Sequence, residues 1–181
     1  MSASNLVLIG MPGSGKSTVG VLLAKRLRLG FTDTDLIIQQ ETGRTLQAIV
    51  DLDGYQTLRQ IEARVLQGLD VQGHVISTGG SAVYSKAAMA HLARRGILVF
   101  LDIPLDEVLQ RIGDFSLRGI SRHPGQSLED LFEERLALYR RYGQVTVSAS
   151  GRTPEQVCEA VIDELSRRAL VPGGAGQAGQ C

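Results

Sequence analysis

The sequence predicts an α/β fold in which a five-stranded parallel sheet is flanked by helices. Three observations carry that expectation. Short apolar runs alternate with longer helical patterns along the 181 residues. The runs are largely continuous rather than alternating, as strands buried on both faces are. The first of them leads into a glycine-rich turn and then a helical pattern, the opening of a phosphate-binding strand–loop–helix unit.

Taken in chain order, the first strand is Leu6-Val7-Leu8-Ile9, followed by the turn GMPGSGKST from Gly10 to Thr18. A weak second strand falls around Gly30-Phe31-Thr32, and FTDTDLII follows it. Leu58, Ile61, Val65, Leu66 and Leu69 repeat at helical spacing, and Leu131, Leu138 and Tyr142 do so at looser fit. His74–Ser77, Ile97–Leu101 and Val145–Val147 read as the remaining strands. Thr153-Pro154-Glu155-Gln156 has a Thr cap, Pro at the first helical position and Gln at the capping-box position. The helix it opens is expected to bury Val157, Val161, Ile162 and Leu165. Residues 113–126 carry little periodicity and read as a mobile loop whose length suits a function. Residues 1–170 are expected to form a single domain, and 171–181 a disordered low-complexity tail. There is no internal repeat.

Composition narrows the partners. Lys plus Arg and Asp plus Glu both number 19, so no basic excess marks a nucleic-acid binder. Two cysteines, Cys158 and Cys181, build neither a disulfide framework nor a zinc site. No apolar run approaches the ~18 residues of a membrane span, and the N-terminal segment has no basic n-region. A cytoplasmic monomer that neither binds nucleic acid nor enters a membrane is expected.

Gly-x4-Gly-Lys-Ser is the phosphate-binding loop of P-loop NTPases. Its backbone N–H groups at Gly13, Ser14, Gly15 and onward to Thr18 would cradle phosphates, helped by the helix dipole. Lys16 would reach the β- and γ-phosphates of ATP, and Ser17 would place its hydroxyl on Mg²⁺. The bland alternative is a turn that merely caps a helix. The loop does not name the acceptor, but a chain this short suits a compact kinase better than a motor or a regulated GTPase.

Three further features stand out. Asp33 and Asp35, at period-two spacing, would put both carboxylates on one side of an extended segment. One would hold the water shell of Mg²⁺ and the other would take a proton, although Asp-x-Asp alone is as easily a helix-capping pair. Gly79 and Gly80 follow the third strand, at the sheet edge where open α/β folds bind ligands. Arg59 begins an otherwise apolar helical face and Arg135 sits in EERLALYRRYG, and for each a solvated surface Arg is the ordinary reading.

In this order, the pieces resemble the shikimate kinase family. That family shows a P-loop, Asp-x-Asp after the second strand, Arg in a Phe-Arg-x-x-Glu context, a Gly-Gly-Gly turn, an Arg-bearing lid and an Arg-x-x-x-Tyr helix. Here these are Gly10–Thr18, Asp33-Thr34-Asp35, Leu58-Arg59-Gln60-Ile61-Glu62, Gly79-Gly80-Ser81, Arg118 in LRGIS, and Arg135 with Tyr139. The segment from Glu41 to Gly54 also looks like the family's lead into its substrate-binding helix.

The resemblance implies ATP-dependent phosphorylation of the 3-hydroxyl of shikimate, on the route to aromatic amino acids. Asp33 would act through the Mg²⁺ shell, and Asp35 would bind the attacking hydroxyl. Arg59 and Arg135 would clamp the substrate carboxylate, with Gly79 and Gly80 beside it and Gly80 donating from its backbone. Arg118 would close over the phosphates as a lid residue, and Arg111 and Pro154 would sandwich the adenine. Four positions depart from the pattern: Ser81 for the third Gly, Leu58 for Phe, Val50 at a nearby aromatic position, and Gly119 for the Pro after Arg118. They lie around the substrate ring or the lid, so a gluconate-type kinase of another hydroxy acid or polyol stays open. A nucleoside-monophosphate kinase would bring more arginines in its lid. A non-catalytic nucleotide-binding module would not need Lys16, Ser17, Asp33 and Asp35 together. The three histidines, at 74, 91 and 123, are scattered and read as structural or surface residues.

Overall fold

The computed structural model describes residues 5–112 and 119–170. Five strands form one parallel sheet: β1 Asn5–Ile9, β2 Gly30–Asp33, β3 His74–Ser77, β4 Gly96–Asp102 and β5 Val145–Ser148. Their spatial order is β2-β3-β1-β4-β5. The chain leaves β1 to one side and later returns to pair β4 on the other, so the switch in winding falls at the carboxyl end of β1. That end carries the phosphate loop. The interior strands β1 and β4 are buried nearly throughout, as a sheet covered on both faces requires. The edge strand β2, Gly-Phe-Thr-Asp, is half-buried throughout, which explains why its apolar signal is weak.

Among the described residues eight α-helices lie between or after the strands: α1 Lys16–Leu27, α2 Thr34–Thr42, α3 Leu46–Asp53, α4 Tyr55–Gly68, α5 Lys86–Arg95, α6 Leu105–Ile112, α7 Leu128–Tyr142 and α8 Pro154–Arg167. Most start where a side chain takes an orphan N–H of the first turn. Thr45 caps α3, Ser85 caps α5 and Ser127 caps α7, accepting from Ala48, Ala88 and Asp130. The capping box expected at Thr153 and Gln156 is formed in both directions. Helix α7 also carries Glu129 and Asp130 in its first turn and Arg140 and Arg141 in its last, matching the helix dipole.

Two helix faces differ in detail from expectation. In α8, Cys158 is buried, whereas Ile162 is only partly so. In α7 the buried stripe runs Leu128, Leu131, Phe132, Arg135 and Tyr139, with Leu138 and Tyr142 on its flank. An arginine therefore sits on the apolar face of a helix. The main core lies around β1 and β4, and a separate small cluster of Ile38, Ile49, Leu58 and Val65 holds α2, α3 and α4 together. Leu58 and Val50, two of the positions that depart from the family pattern, pack in or against that cluster. Residues 119–126 of the anticipated loop are irregular; 113–118, with Arg118, and the anticipated tail 171–181 lie outside the described residues. Among the described residues no helix is long and apolar enough to cross a membrane.

Candidate active site

Beyond Ile9 the chain turns through Gly13 at φ 83° and Gly15 at φ 91°, a left-handed conformation that L side chains resist. A turn of this kind can direct N–H groups into one concavity; here the Ser14 N–H donates to the Met11 carbonyl at 3.1 Å, and Gly15 is the N-cap of α1. Lys16, the first residue of that helix, is buried. Its Nζ donates to the carbonyls of Gly10 and Met11, both at 2.8 Å, and reaches Ser14 Oγ at 3.5 Å. Burial lowers its pKa to about 8 against the opposing charge of Asp35, so the ammonium is charged at neutral pH.

The neighbouring Ser17 hydroxyl donates to Asp33 Oδ2 at 2.6 Å and lies 3.2 Å from Ser77 Oγ. The parallel register sets Asp33 opposite Ser77, so α1, β2 and β3 bring three oxygen-bearing side chains to one point. Asp33 is both the last residue of β2 and the N-cap of α2, and its Oδ1 accepts the Asp35 N–H at 3.0 Å. Asp35 thus stands in the first turn of a helix, not two residues along an extended segment. The helix begins between the two acids, so the expected extended spacing does not hold, and Asp33 is a helix cap. The carboxyl of Asp35 still faces the cleft, where burial raises its pKa to about 6; Asp33 adds to that and Lys16 opposes it.

On the other side of the turn after β3, Glu62 projects from α4 and is 3 % exposed. Ser81 donates its hydroxyl to Glu62 Oε2, while Oε1 has no partner. Burial raises the Glu62 pKa to about 7; Asp35 pushes the same way, and the Ser81 hydrogen bond, Arg135 and Lys16 oppose it. Gly79 lies between the two acids: a Cβ there would stand on Glu62 Oε1 and 2.9 Å from Asp35 Oδ1. The missing side chain is what lets both carboxyls converge.

Arg135 is 1 % exposed, far from a surface position. Its Nη2 donates to the carbonyl of Ser121 at 2.6 Å, and its Nε is buried without a partner. Arg59 arrives from α4 at the same residue, with Nε 2.7 Å from Ser121 Oγ and Nη2 3.4 Å from Ser121 O. The two arginines are therefore a matched pair. Tyr139, on the next turn of α7 from Arg135, donates to the carbonyl of Gly80 at 2.7 Å.

These groups surround a cleft of about 580 Å³. The phosphate loop and Arg111 line it together with Asp35, Leu58, Glu62, Gly80 and Arg135. Arg59 and Pro154 are not on the wall. Arg111 donates to Gly13 O at 3.3 Å and pairs with Glu107 at 2.5 Å. Glu107 also accepts from Ser150 and from Gly151 N, tying α6 to the loop that leads to Pro154. The histidines are structural as expected: the rings of His74, His91 and His123 contact Thr32, the Leu69 carbonyl and Tyr55. Among the described residues no group of three or more His, Cys, Asp or Glu forms a metal cluster.

A family model for shikimate kinase matches residues 12–166. The chain belongs to the shikimate kinase family. It is 39% identical to a shikimate kinase of Mycobacterium avium over 166 residues, covering 90% of this chain and 94% of that protein. It is 33% identical to one of Sulfurihydrogenibium over 165 residues, covering 91% and 99%. In three dimensions it superposes on a shikimate kinase from Acinetobacter baumannii in complex with shikimate at TM-score 0.85, with 30% identity over 92% and 95% of the two chains.

Within this shikimate kinase fold, sequence reasoning missed Glu62 as a residue of the cleft, and with it the Ser81 hydroxyl that holds it. The signal was present. Glu62 falls on the same buried stripe as Leu58, Val65 and Leu66 of α4, where an unpaired charge is rarely left without purpose.

Proposed function

We infer that the protein transfers the γ-phosphoryl group of ATP to the 3-hydroxyl of shikimate. One observation carries the reading: Arg59 and Arg135, from separate helices, converge on the carbonyl of Ser121, a residue that lines the cleft together with Arg135. Two planar guanidiniums aimed at one oxygen suit a carboxylate, and Asp35 lines the same cleft as Arg135 and the phosphate loop.

The loop N–H groups and Lys16 would hold the β- and γ-phosphates, with Arg118 above them and Arg111 and Pro154 on either face of the adenine. Asp35, ionised above about pH 6, would take the proton of the 3-hydroxyl as its oxygen attacks the γ-phosphorus and the bond to the ADP oxygen breaks. The Ser17 and Asp33 oxygens fit Mg²⁺, which prefers hard oxygen ligands, few of them from protein, alongside water and phosphate. When bound, that ion would neutralise charge on the phosphate oxygens. The working form we infer is a cytoplasmic monomer with no nucleic-acid partner, in keeping with 19 acidic and 19 basic residues.

Coupled ADP-release assays across shikimate, quinate, gluconate and nucleoside monophosphates test the acceptor. Shikimate is expected to lead, and shikimate reduced to its alcohol should be a poor substrate. Either Arg59→Ala or Arg135→Ala should raise KM for shikimate at least ~10-fold, since each charge-assisted contact contributes ~1.5–3 kcal/mol. The KM for ATP should hold. Equal turnover of acid and alcohol by the wild type would overturn the carboxylate clamp.

A further inference from the structure

The chain is poor in aromatic residues, with four Tyr, four Phe and no Trp. Even so, three of its four tyrosines gather at the two arginines. Tyr84 lies under Arg59, whose Cζ is 3.6 Å from the ring centroid, and Arg135 is 5.5 Å from the same ring. Tyr55 offers a second ring to Arg59 at 5.0 Å. Tyr139 buttresses Gly80 from α7.

Both rings beside Arg59 are themselves fixed. Tyr84 belongs to the short turn Ala82–Tyr84 that follows Gly79-Gly80-Ser81, and its hydroxyl donates to Glu134, the residue before Arg135. The Tyr55 hydroxyl is 2.6 Å from His123 Nδ1, with the two rings 4.8 Å apart. Among the described residues no carboxylate pairs with Arg59.

That choice of partner has a chemical meaning. A carboxylate would hold the guanidinium by its in-plane N–H groups and cancel its charge. An aromatic face holds it through the π system and leaves those donors and the charge available. In this structure the Nε and Nη2 edge of Arg59 meets two oxygens of Ser121 at 2.7 and 3.4 Å, so the edge already points at oxygen acceptors. The family's Phe before this arginine is Leu58 here, and the rings come instead from Tyr55 and Tyr84.

We propose that Tyr84, assisted by Tyr55, is a positioning residue that holds Arg59 by its face and presents its donor edge to the substrate carboxylate. This rests on the acid-clamp reading given above. Neither tyrosine is assigned contact with the substrate.

The test compares Tyr84→Leu, Tyr84→Phe and Tyr55→Leu with the wild type, on shikimate and on its reduced alcohol. Tyr84→Leu should raise KM for shikimate ~10-fold, the scale of a partly desolvated cation–π contact. Its kcat and its KM for ATP should stay within about twofold, and its preference for acid over alcohol should shrink by the same ~10-fold. Tyr84→Phe keeps the ring and should keep the wild-type KM. A role in stability alone would lower Tm without this split between substrates. Failure of the wild type to phosphorylate shikimate would defeat the functional reading itself. If the wild type does so and Tyr84→Leu keeps its KM, or Tyr84→Phe is as impaired as Tyr84→Leu, the positioning role is overturned. Should Tyr84→Leu not fold, Tyr55→Leu decides: a rise of ~2–5-fold in KM is expected from its longer contact, and no rise overturns the proposal.

Discussion

Asp33 caps the helix that carries Asp35, accepting the Asp35 N–H at 3.0 Å through one oxygen and the Ser17 hydroxyl at 2.6 Å through the other. Both of its oxygens are therefore engaged on the phosphate-loop side. Asp35 has no such duty and turns its carboxyl to the cleft. Two acids in one tripeptide have been given different work by the start of a helix.

That division predicts different mutant behaviour. Asp35→Asn loses proton acceptance and should lower kcat by ~10²-fold or more, the usual scale for a general base, with little change in KM for ATP. Asp33→Asn can still cap the helix, since Asn serves as well as Asp at that position. Its defect should be a raised Mg²⁺ requirement. Titrating Mg²⁺ against turnover for both variants checks this, and an identical metal-rescuable defect in the two would contradict it.

Glu62 predicts a dependence of stability on pH. Its folded pKa of about 7 lies above the ordinary 4.5 because of burial, with Asp35 adding to the shift and Ser81, Arg135 and Lys16 reducing it. Between those two values the folded protein keeps a proton that the unfolded chain releases, so this group lowers stability as pH rises from about 4.5 to about 7. Glu62→Gln removes that penalty. At pH 8 the variant should unfold several degrees above the wild type, from ~2–3 kcal/mol. The gap should close toward pH 4.5. Thermal melts of the unliganded proteins across that range decide it; a gap that does not vary with pH would mean that Glu62 folds already ionised.

Gly79→Ala would put a methyl group on Glu62 Oε1 and against Asp35 Oδ1. Both acids must move, and displacement of a reacting group by ~1 Å can cost ~10²-fold in rate. Nucleotide binding should survive, because the phosphate loop is not touched. Calorimetric titration with ATP alongside turnover separates the two effects; near-normal turnover would show that the convergence of the two carboxyls is not required.

The strands and the phosphate loop were readable because their signals are local. A continuous apolar run and a glycine spacing need no knowledge of the rest of the chain. The edge strand β2 was faint because half its surface faces water. Asp33 and Asp35 were placed correctly in the chain but wrongly in conformation, since the helix begins between them and the twofold period ends there. Arg135 and Glu62 were harder for another reason. Each is a charge on a buried helical stripe, and its burial becomes intelligible only when a loop distant in sequence supplies Ser121 or Ser81. The contact of Arg59 with Tyr84 joins α4 to a turn beyond β3 and has no signature in sequence spacing at all.

Ser121 is 2 % exposed and fills donors on both arginines before any ligand arrives. A carboxylate that takes those donors trades places with a peptide carbonyl and a hydroxyl, not with bulk water. Its affinity is the difference between two sets of hydrogen bonds. A neutral ligand would exchange like for like and gain little, while an anion would add the Coulomb attraction of its own charge to the two guanidiniums. If the two arginines clamp a carboxylate as proposed, Ser121 would serve as an internal reference against which each ligand is weighed, and discrimination by charge would follow from the comparison.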